Sequence, residues 1–291
     1  MTRAPAVDAV MLEARATVLT KRSIKKSSKL AGIEIAIACM DLTTLEGKDS
    51  PGKVRSVCAR AVSPAPGVRS VAAVCVYPTL VAECVRALEG STVLVASVAT
   101  AFPSGLSPLD VKLRETREAV ALGADEIDMV IDRGALLAGR ETEVFAEIGA
   151  VKEACGQATL KVILEAGELG SYAMIRRACD IALAAGADFI KTSTGKISIS
   201  TTPGIALLMA EALRDHRRKT GRTAGLKLAG GIRTTKAALG YLSLIKETLG
   251  DVWLHPDRFR IGASSLLDDL LMQREKELTG SYSALAYVAQ A

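Results

Sequence analysis

The chain has 291 residues, of which 49% are apolar, 24% charged and only 3% aromatic, with a formal net charge of +5. A large core must therefore be filled by Val, Ile, Leu and Ala, as in a parallel sheet covered by helices, and the length suits one α/β barrel. No apolar stretch approaches the roughly 20 residues of a membrane helix, and six scattered cysteines form no framework, so the expectation is a cytoplasmic protein with reduced thiols and no membrane partner.

Near the start lies TKRSIKKSSK, which carries much of the excess charge; the rest of the chain is close to balanced. Such a segment reads as a solvated helix end or turn rather than a nucleic-acid surface. Asp8 and Glu13 count against a transit peptide. No linker rich in Pro, Gly or Ser divides the chain, so residues 1–30 read as a helical extension and 31–291 as a single catalytic barrel with a C-terminal tail.

Eight short runs then recur: IEIAIACMD from residue 33, VAAVCVYP from 71, TVLVASVA from 92, EIDMVID from 126, LKVILEAG from 160, FIKTSTG from 189, GLKLAGG from 225 and FRIGASS from 259. Between them lie segments such as SPLDVKLRETREAVALG, ETEVFAEIGAVKEACG, SYAMIRRACDIALAAG and TTKAALGYLSLIKETLG, with apolar residues at three- and four-residue spacing. Alternating strand and helix implies parallel strands and right-handed crossovers. The expected fold is a (β/α)8 TIM barrel, with an open doubly wound sheet as the alternative. ALGADEIDMV and AAGADFIKTS echo each other, each leaving a helix through glycine and entering a strand through Ala-Asp.

Barrels of this type work at the carboxyl ends of their strands. There the chain places Asp41, Thr43, Cys75, Asp128, Glu165, Lys191 and Lys227. Strand alternation sets Lys191 on a face with Phe189 and Ser193, and Lys227 on a face with Gly225 and Ala229. If both faces point inward, two lysines on adjacent strands converge, and one must lose affinity for its proton. A free lysine, with pKa about 10.4, is neutral in about one molecule in 2,500 at pH 7. Bringing that value near 7.5 makes about a quarter of it a competent nucleophile, at a cost of about 4 kcal/mol. Asp128 would relay protons through water. The blander reading is that a lone inward lysine is ion-paired to Asp128 or Glu165; two lysines at adjacent strand ends favour chemistry.

LAGGIRT at 228–234 and IGASSLL at 261–267 follow strands seven and eight, where barrels build phosphate sites from backbone N–H groups and a helix start. Gly230 and Gly231 allow close approach, Ser264 and Ser265 offer caps and hydroxyls, and Lys196 adds a cation; tight turns without a ligand are the alternative. His216 and His255 fall away from the strand ends and are expected at the surface, which leaves no material for a multi-histidine zinc site or a Ser-His-Asp triad. Cys75 lacks a histidine partner and reads as a packing or substrate contact. No metal and no cofactor is expected.

Together FIKTSTGK, MDLTTL, ADEIDMVID, LKVILEAGEL, GLKLAGGIRT and RIGASSLL resemble the deoxyribose-phosphate aldolase family, from about residue 33 to about residue 270. The resemblance implies a class I, metal-free aldolase that reversibly cleaves 2-deoxy-D-ribose 5-phosphate to D-glyceraldehyde 3-phosphate and acetaldehyde. It makes Lys191 the Schiff-base lysine, Lys227 the neighbour that lowers its pKa and Asp128 the proton relay. Asp41, Thr43, Cys75 and Thr194 would line the sugar site, and Gly195, Lys196, Gly230, Gly231, Gly262, Ser264 and Ser265 would hold the phosphate. Leu228 replaces the usual proline and Ala101 a frequent asparagine. Several members end on a tyrosine that assists proton transfer; here the chain ends at Ala291, and Tyr282 or Tyr287 would have to replace it. The alternatives are another lysine-dependent phosphosugar lyase or transaldolase, and a phosphosugar-binding barrel without turnover. A homodimer formed through the alanine-rich outer helices is a further expectation.

Overall fold

The computed structural model describes residues 6–281. Two helices, α1 (Ala9–Thr20) and α2 (Lys26–Ala38), precede the alternating units. The units run β1 (Met40–Thr43), α3 (Pro51–Val62), β2 (Ala73–Val76), α4 (Val81–Ala87), β3 (Leu94–Ala99), α5 (Leu109–Ala121) and β4 (Glu126–Val130), followed by α6 (Arg133–Leu137) and α7 (Glu141–Cys155). They continue with β5 (Thr159–Ile163), α8 (Tyr172–Ala184), β6 (Phe189–Lys191), α9 (Pro203–Thr220), β7 (Gly225–Ala229), α10 (Thr235–Leu249), β8 (Phe259–Ala263) and α11 (Leu266–Thr279). All eight strands pair in parallel with their sequence neighbours, and β1 pairs with β8 to close the barrel. The open-sheet alternative is thereby excluded.

Six strands fall within the runs read from the sequence, and β5 begins one residue before its run, at Thr159. The first is displaced: IEIAIA belongs to α2, because Ile33 and Ile37 stand one helical turn apart and, with Ala36, bury a single face. Pairing starts only at Met40. The extension is packed onto the barrel, with α1 lying against α9 and α10 and Arg15 tied to Glu211 at 2.8 Å.

The Gly-Ala-Asp echo has a structural purpose. Gly123 and Gly186 take φ of +102° and +106°, values that favour glycine. Each following aspartate then fastens the strand before it: Asp125 accepts the Val95 amide at 2.8 Å, and Asp188 accepts that of Leu160 at 2.8 Å. The backbone oxygens of the same two aspartates accept from Thr159 and Gly225 at the head of the next strand. One residue thus sets the register of three strands. No helix among the described residues is long and apolar enough to cross a membrane.

Candidate active site

Outward strand faces, such as Ile127 and Met129 or Leu226 and Leu228, pack under the helices. Inward positions are largely polar. At the floor, Arg260 on β8 donates to Glu126 on β4 at 2.8 and 3.2 Å and to Asp41 on β1 at 2.7 Å. Its guanidinium also lies 5.8 Å from the Phe189 ring centre. That ring lies over the neighbouring strand because its register partner, position 225, is glycine: a Cβ there would collide with it. Lys161 on β5 bridges Glu126 at 2.5 Å and Asp128 at 2.9 Å.

Above this floor the predicted trio meets. Lys191 and Lys227 are register partners on β6 and β7, and each places its Nζ 2.7 Å from the same oxygen, Asp128 Oδ2. Both contacts are direct hydrogen bonds. Lys227 has a second carboxylate, Asp41, at 2.5 Å; Lys191 has none. The consequences differ accordingly. Burial lowers the pKa of Lys191, and the Lys227 charge adds to this against the pull of Asp128. Burial acts on Lys227 in the same sense, but Asp128 and Asp41 outweigh it and hold its proton more tightly than normal. Asp128, although buried, is kept well below the carboxylate range by Lys161, Lys191 and Lys227.

The buried network holds three carboxyl groups, Asp41, Glu126 and Asp128, and four basic groups, Lys161, Lys191, Lys227 and Arg260. Fully ionised, it has one positive charge too many. Releasing the Lys191 proton balances it, in a setting where an uncompensated charge is expensive. The ion-pair reading and the reactive reading of Lys191 therefore describe the same contact.

A cavity of about 380 Å³ opens over Lys191 and is walled by Thr43, Thr194, Gly195, Lys196, Gly230, Gly231, Gly262, Ser264 and Ser265. Gly195, Gly230 and Gly231 have φ of +77°, +84° and +80°. At Gly230 a Cβ would also meet Ser200 at 2.5 Å. Ser265 lines the cavity at the start of α11 and makes no side-chain cap bond to that helix. Thr194 donates through its amide and hydroxyl to Glu165, at 3.1 and 2.5 Å, which anchors the loop after β6. Asp41 and Cys75 are not in this wall. Both are fully buried behind it, with Asp41 engaged by Lys227 and Arg260 and burial pushing the Cys75 thiol up to about 11.

Several residues of the site were not singled out in the sequence: Glu126, Lys161 and Arg260 in the floor, and Lys48, Lys53 and Arg233 in the cavity wall. The period-two rule was the available signal for the floor, since each of those three residues lies two positions before an inward one. His255 is exposed as expected, but His216 is half-buried on α9, where burial lowers its pKa. No group of three or more His, Cys, Asp or Glu side chains able to hold a metal is found among the described residues. Tyr282 and Tyr287 lie outside the described residues.

Fold and site together define a class, the (β/α)8 enzymes with a buried lysine at the carboxyl-end mouth beside a cradle for an anion. The model of the DeoC/LacD family aldolases matches residues 35–270, and the chain belongs to that family. It is 45% identical over 290 residues to a mouse protein named deoxyribose-phosphate aldolase, covering 95% of this chain and 91% of the relative. The crystal structure of a putative deoxyribose-phosphate aldolase from Toxoplasma gondii superposes with a TM-score of 0.76 at 26% identity, covering 91% of this chain and 100% of the other. A deoxyribose phosphate aldolase from Aeropyrum pernix, described as tetrameric, gives 0.67 at 26% identity, with 87% and 98% covered.

Proposed function

We propose that the chain is a class I aldolase that reversibly cleaves 2-deoxy-D-ribose 5-phosphate to D-glyceraldehyde 3-phosphate and acetaldehyde. One observation carries the assignment of roles: two lysines share one Asp128 oxygen, and only Lys227 has a second anion. Neutral Lys191 adds to the C1 aldehyde of the open sugar, and loss of water from the carbinolamine gives the imine. Removal of the C3 hydroxyl proton breaks the C2–C3 bond. Glyceraldehyde phosphate leaves, and a two-carbon enamine stays on Lys191. Protonation at C2 and hydrolysis then release acetaldehyde and restore the amine. Asp128, in contact with Lys191, carries protons between these steps, and the fixed Lys227 cation keeps Lys191 from regaining its proton. Thr43 and Thr194 face the sugar, Asp41 and Cys75 support the site from behind, and the glycine and serine loops with Lys196 hold the phosphate through backbone N–H groups.

The unit reads as a cytoplasmic barrel over residues 31–291 that pairs as a homodimer; sedimentation as a monomer at micromolar concentration would contradict the pairing. The chemistry is tested by mixing the protein with acetaldehyde and borohydride and mapping the adduct. A reduced two-carbon adduct on Lys191, competed by deoxyribose phosphate and absent from Lys191→Ala, is the expected result. Label scattered over surface lysines, or none, favours a binding protein without turnover. An adduct without cleavage of deoxyribose phosphate points to another phosphosugar lyase.

A further inference from the structure

Four basic side chains line the wall of the cavity near its mouth: Lys48, Lys53, Lys196 and Arg233. Lys48, Lys53 and Arg233 have no ion-pair partner among the described residues. Lys196 does: its Nζ lies 2.7 Å from Glu46 Oε1. This contact joins the loop after β1 to the loop after β6, and so crosses the site above the ends of β7 and β8.

Both halves of the bridge rest on fastened backbone. On one side Asp49 accepts the Thr44 hydroxyl at 2.8 Å and the Glu46 amide at 2.9 Å. On the other, the Lys196 amide donates to Thr194 Oγ1 at 3.1 Å, and Thr194 is itself held by Glu165. Little further ordering is needed for the ion pair to form. Glu46 also brings a negative charge to the rim of a cradle built for an anion.

We propose that Glu46 is a specificity-determining residue: it occupies the Lys196 ammonium in the free enzyme and is exchanged for the anionic group of the substrate. The inference rests on reading the cradle as the phosphate site. An incoming phosphate must displace the carboxylate and then sit near it, whereas a neutral sugar meets neither obstacle. The bridge therefore lowers the preference for phosphorylated substrates below what the cradle alone would give. Part of the apparent affinity is lost because the competent, open state is only a fraction of the population. An exposed ion pair biases its partners by a factor of about 1.4 to 5, which sets the size of the effect.

The test is Glu46→Gln, which keeps shape and removes charge. At low ionic strength the ratio of kcat/KM for 2-deoxyribose 5-phosphate to that for unphosphorylated 2-deoxyribose should rise by a factor of about 1.4 to 5, and the gain should shrink toward 1 M salt. The dissociation constant of inorganic phosphate, measured by calorimetry without turnover, should fall by the same factor. A ratio and a phosphate affinity that stay constant or decline would overturn the proposal. A wild-type enzyme that cleaves no deoxyribose phosphate sinks the assigned reaction instead, and the phosphate titration then decides the role of Glu46 by itself.

Discussion

The floor of the barrel and its mouth are built from the same residue types and behave differently. At the floor, Arg260 and Lys161 each meet more than one carboxylate. At the mouth Lys191 shares a single oxygen with a competitor that has a second partner, Ser193 Oγ is buried without a hydrogen-bond partner, and Ser265 leaves its helix uncapped. Saturated polar contacts hold a structure together; incomplete ones, placed where substrate arrives, leave groups ready to react.

The sharpest way to break this contrast is to remove Lys191. Lys191→Met should lower cleavage by at least ~10⁴-fold, as loss of a covalent nucleophile does elsewhere. Its melting temperature should be no lower than that of the parent, because Asp128 keeps Lys161 and Lys227 and no buried charge loses its last partner. Clear destabilisation, seen in a thermal scan, would mean that Lys191 is part of the scaffold. Arg260→Met is the opposite case. It leaves one oxygen each of Glu126 and Asp41 without the guanidinium, although Lys161 still holds the other oxygen of Glu126, and should cost about 3–5 kcal/mol in urea unfolding, as expected when one member of a buried pair is deleted.

Lys227→Met sharpens the comparison at the mouth itself. With Asp128 Oδ2 no longer shared and the neighbouring cation gone, Lys191 should bind its proton more tightly, so the limb of the rate profile that rises with pH should move to higher pH, with about tenfold less activity at pH 7 for each pH unit of displacement. An unmoved limb would separate Lys227 from the tuning role. A smaller effect is expected in the cradle. Gly230→Ala puts a side chain at positive φ against Ser200, and should raise the KM for phosphosugar about tenfold, in line with about 1–3 kcal/mol of local strain.

The gentlest prediction concerns acid. Asp41 and Asp128 titrate below the ordinary carboxylate range in the fold. The stability they contribute is therefore complete above pH ~4, where the unfolded carboxyls ionise, and is lost as pH falls through the folded values. In a His216→Asn background, which removes the buried imidazole whose depressed pKa would itself lower stability below about pH 6.5, urea midpoints should not fall between pH 7 and 5 and should decline below about pH 4. A decline that begins above pH 6 would implicate other groups.

Much of this was legible in the sequence because strand periodicity is short and local. Seven strands, the inward facing of Lys191 and Lys227 and the glycine loops all follow from alternation and turn chemistry. The first strand did not, since Ile33, Ile35 and Ile37 satisfy a two-residue period while Ile33 and Ile37 also satisfy a helical one. Burial decided between them. The charge network is legible only in part: Asp128 and the lysines stand at strand ends where chemistry is sought, whereas Glu126, Lys161 and Arg260 lie lower on their strands, and only closure of the barrel brings β4, β5 and β8 face to face. Pairings across the interior belong to the closed shape and to no local run of residues.

Asp41 accepts a hydrogen bond from Arg260 on one oxygen and has the Lys227 ammonium beside the other. The side chain that secures the bottom of the molecule is thus also the one that sets how firmly the upper cation is held, and through it the readiness of Lys191 to react. Robustness and reactivity are wired in series. Selection, natural or in the laboratory, cannot adjust the floor of this barrel without also retuning its nucleophile.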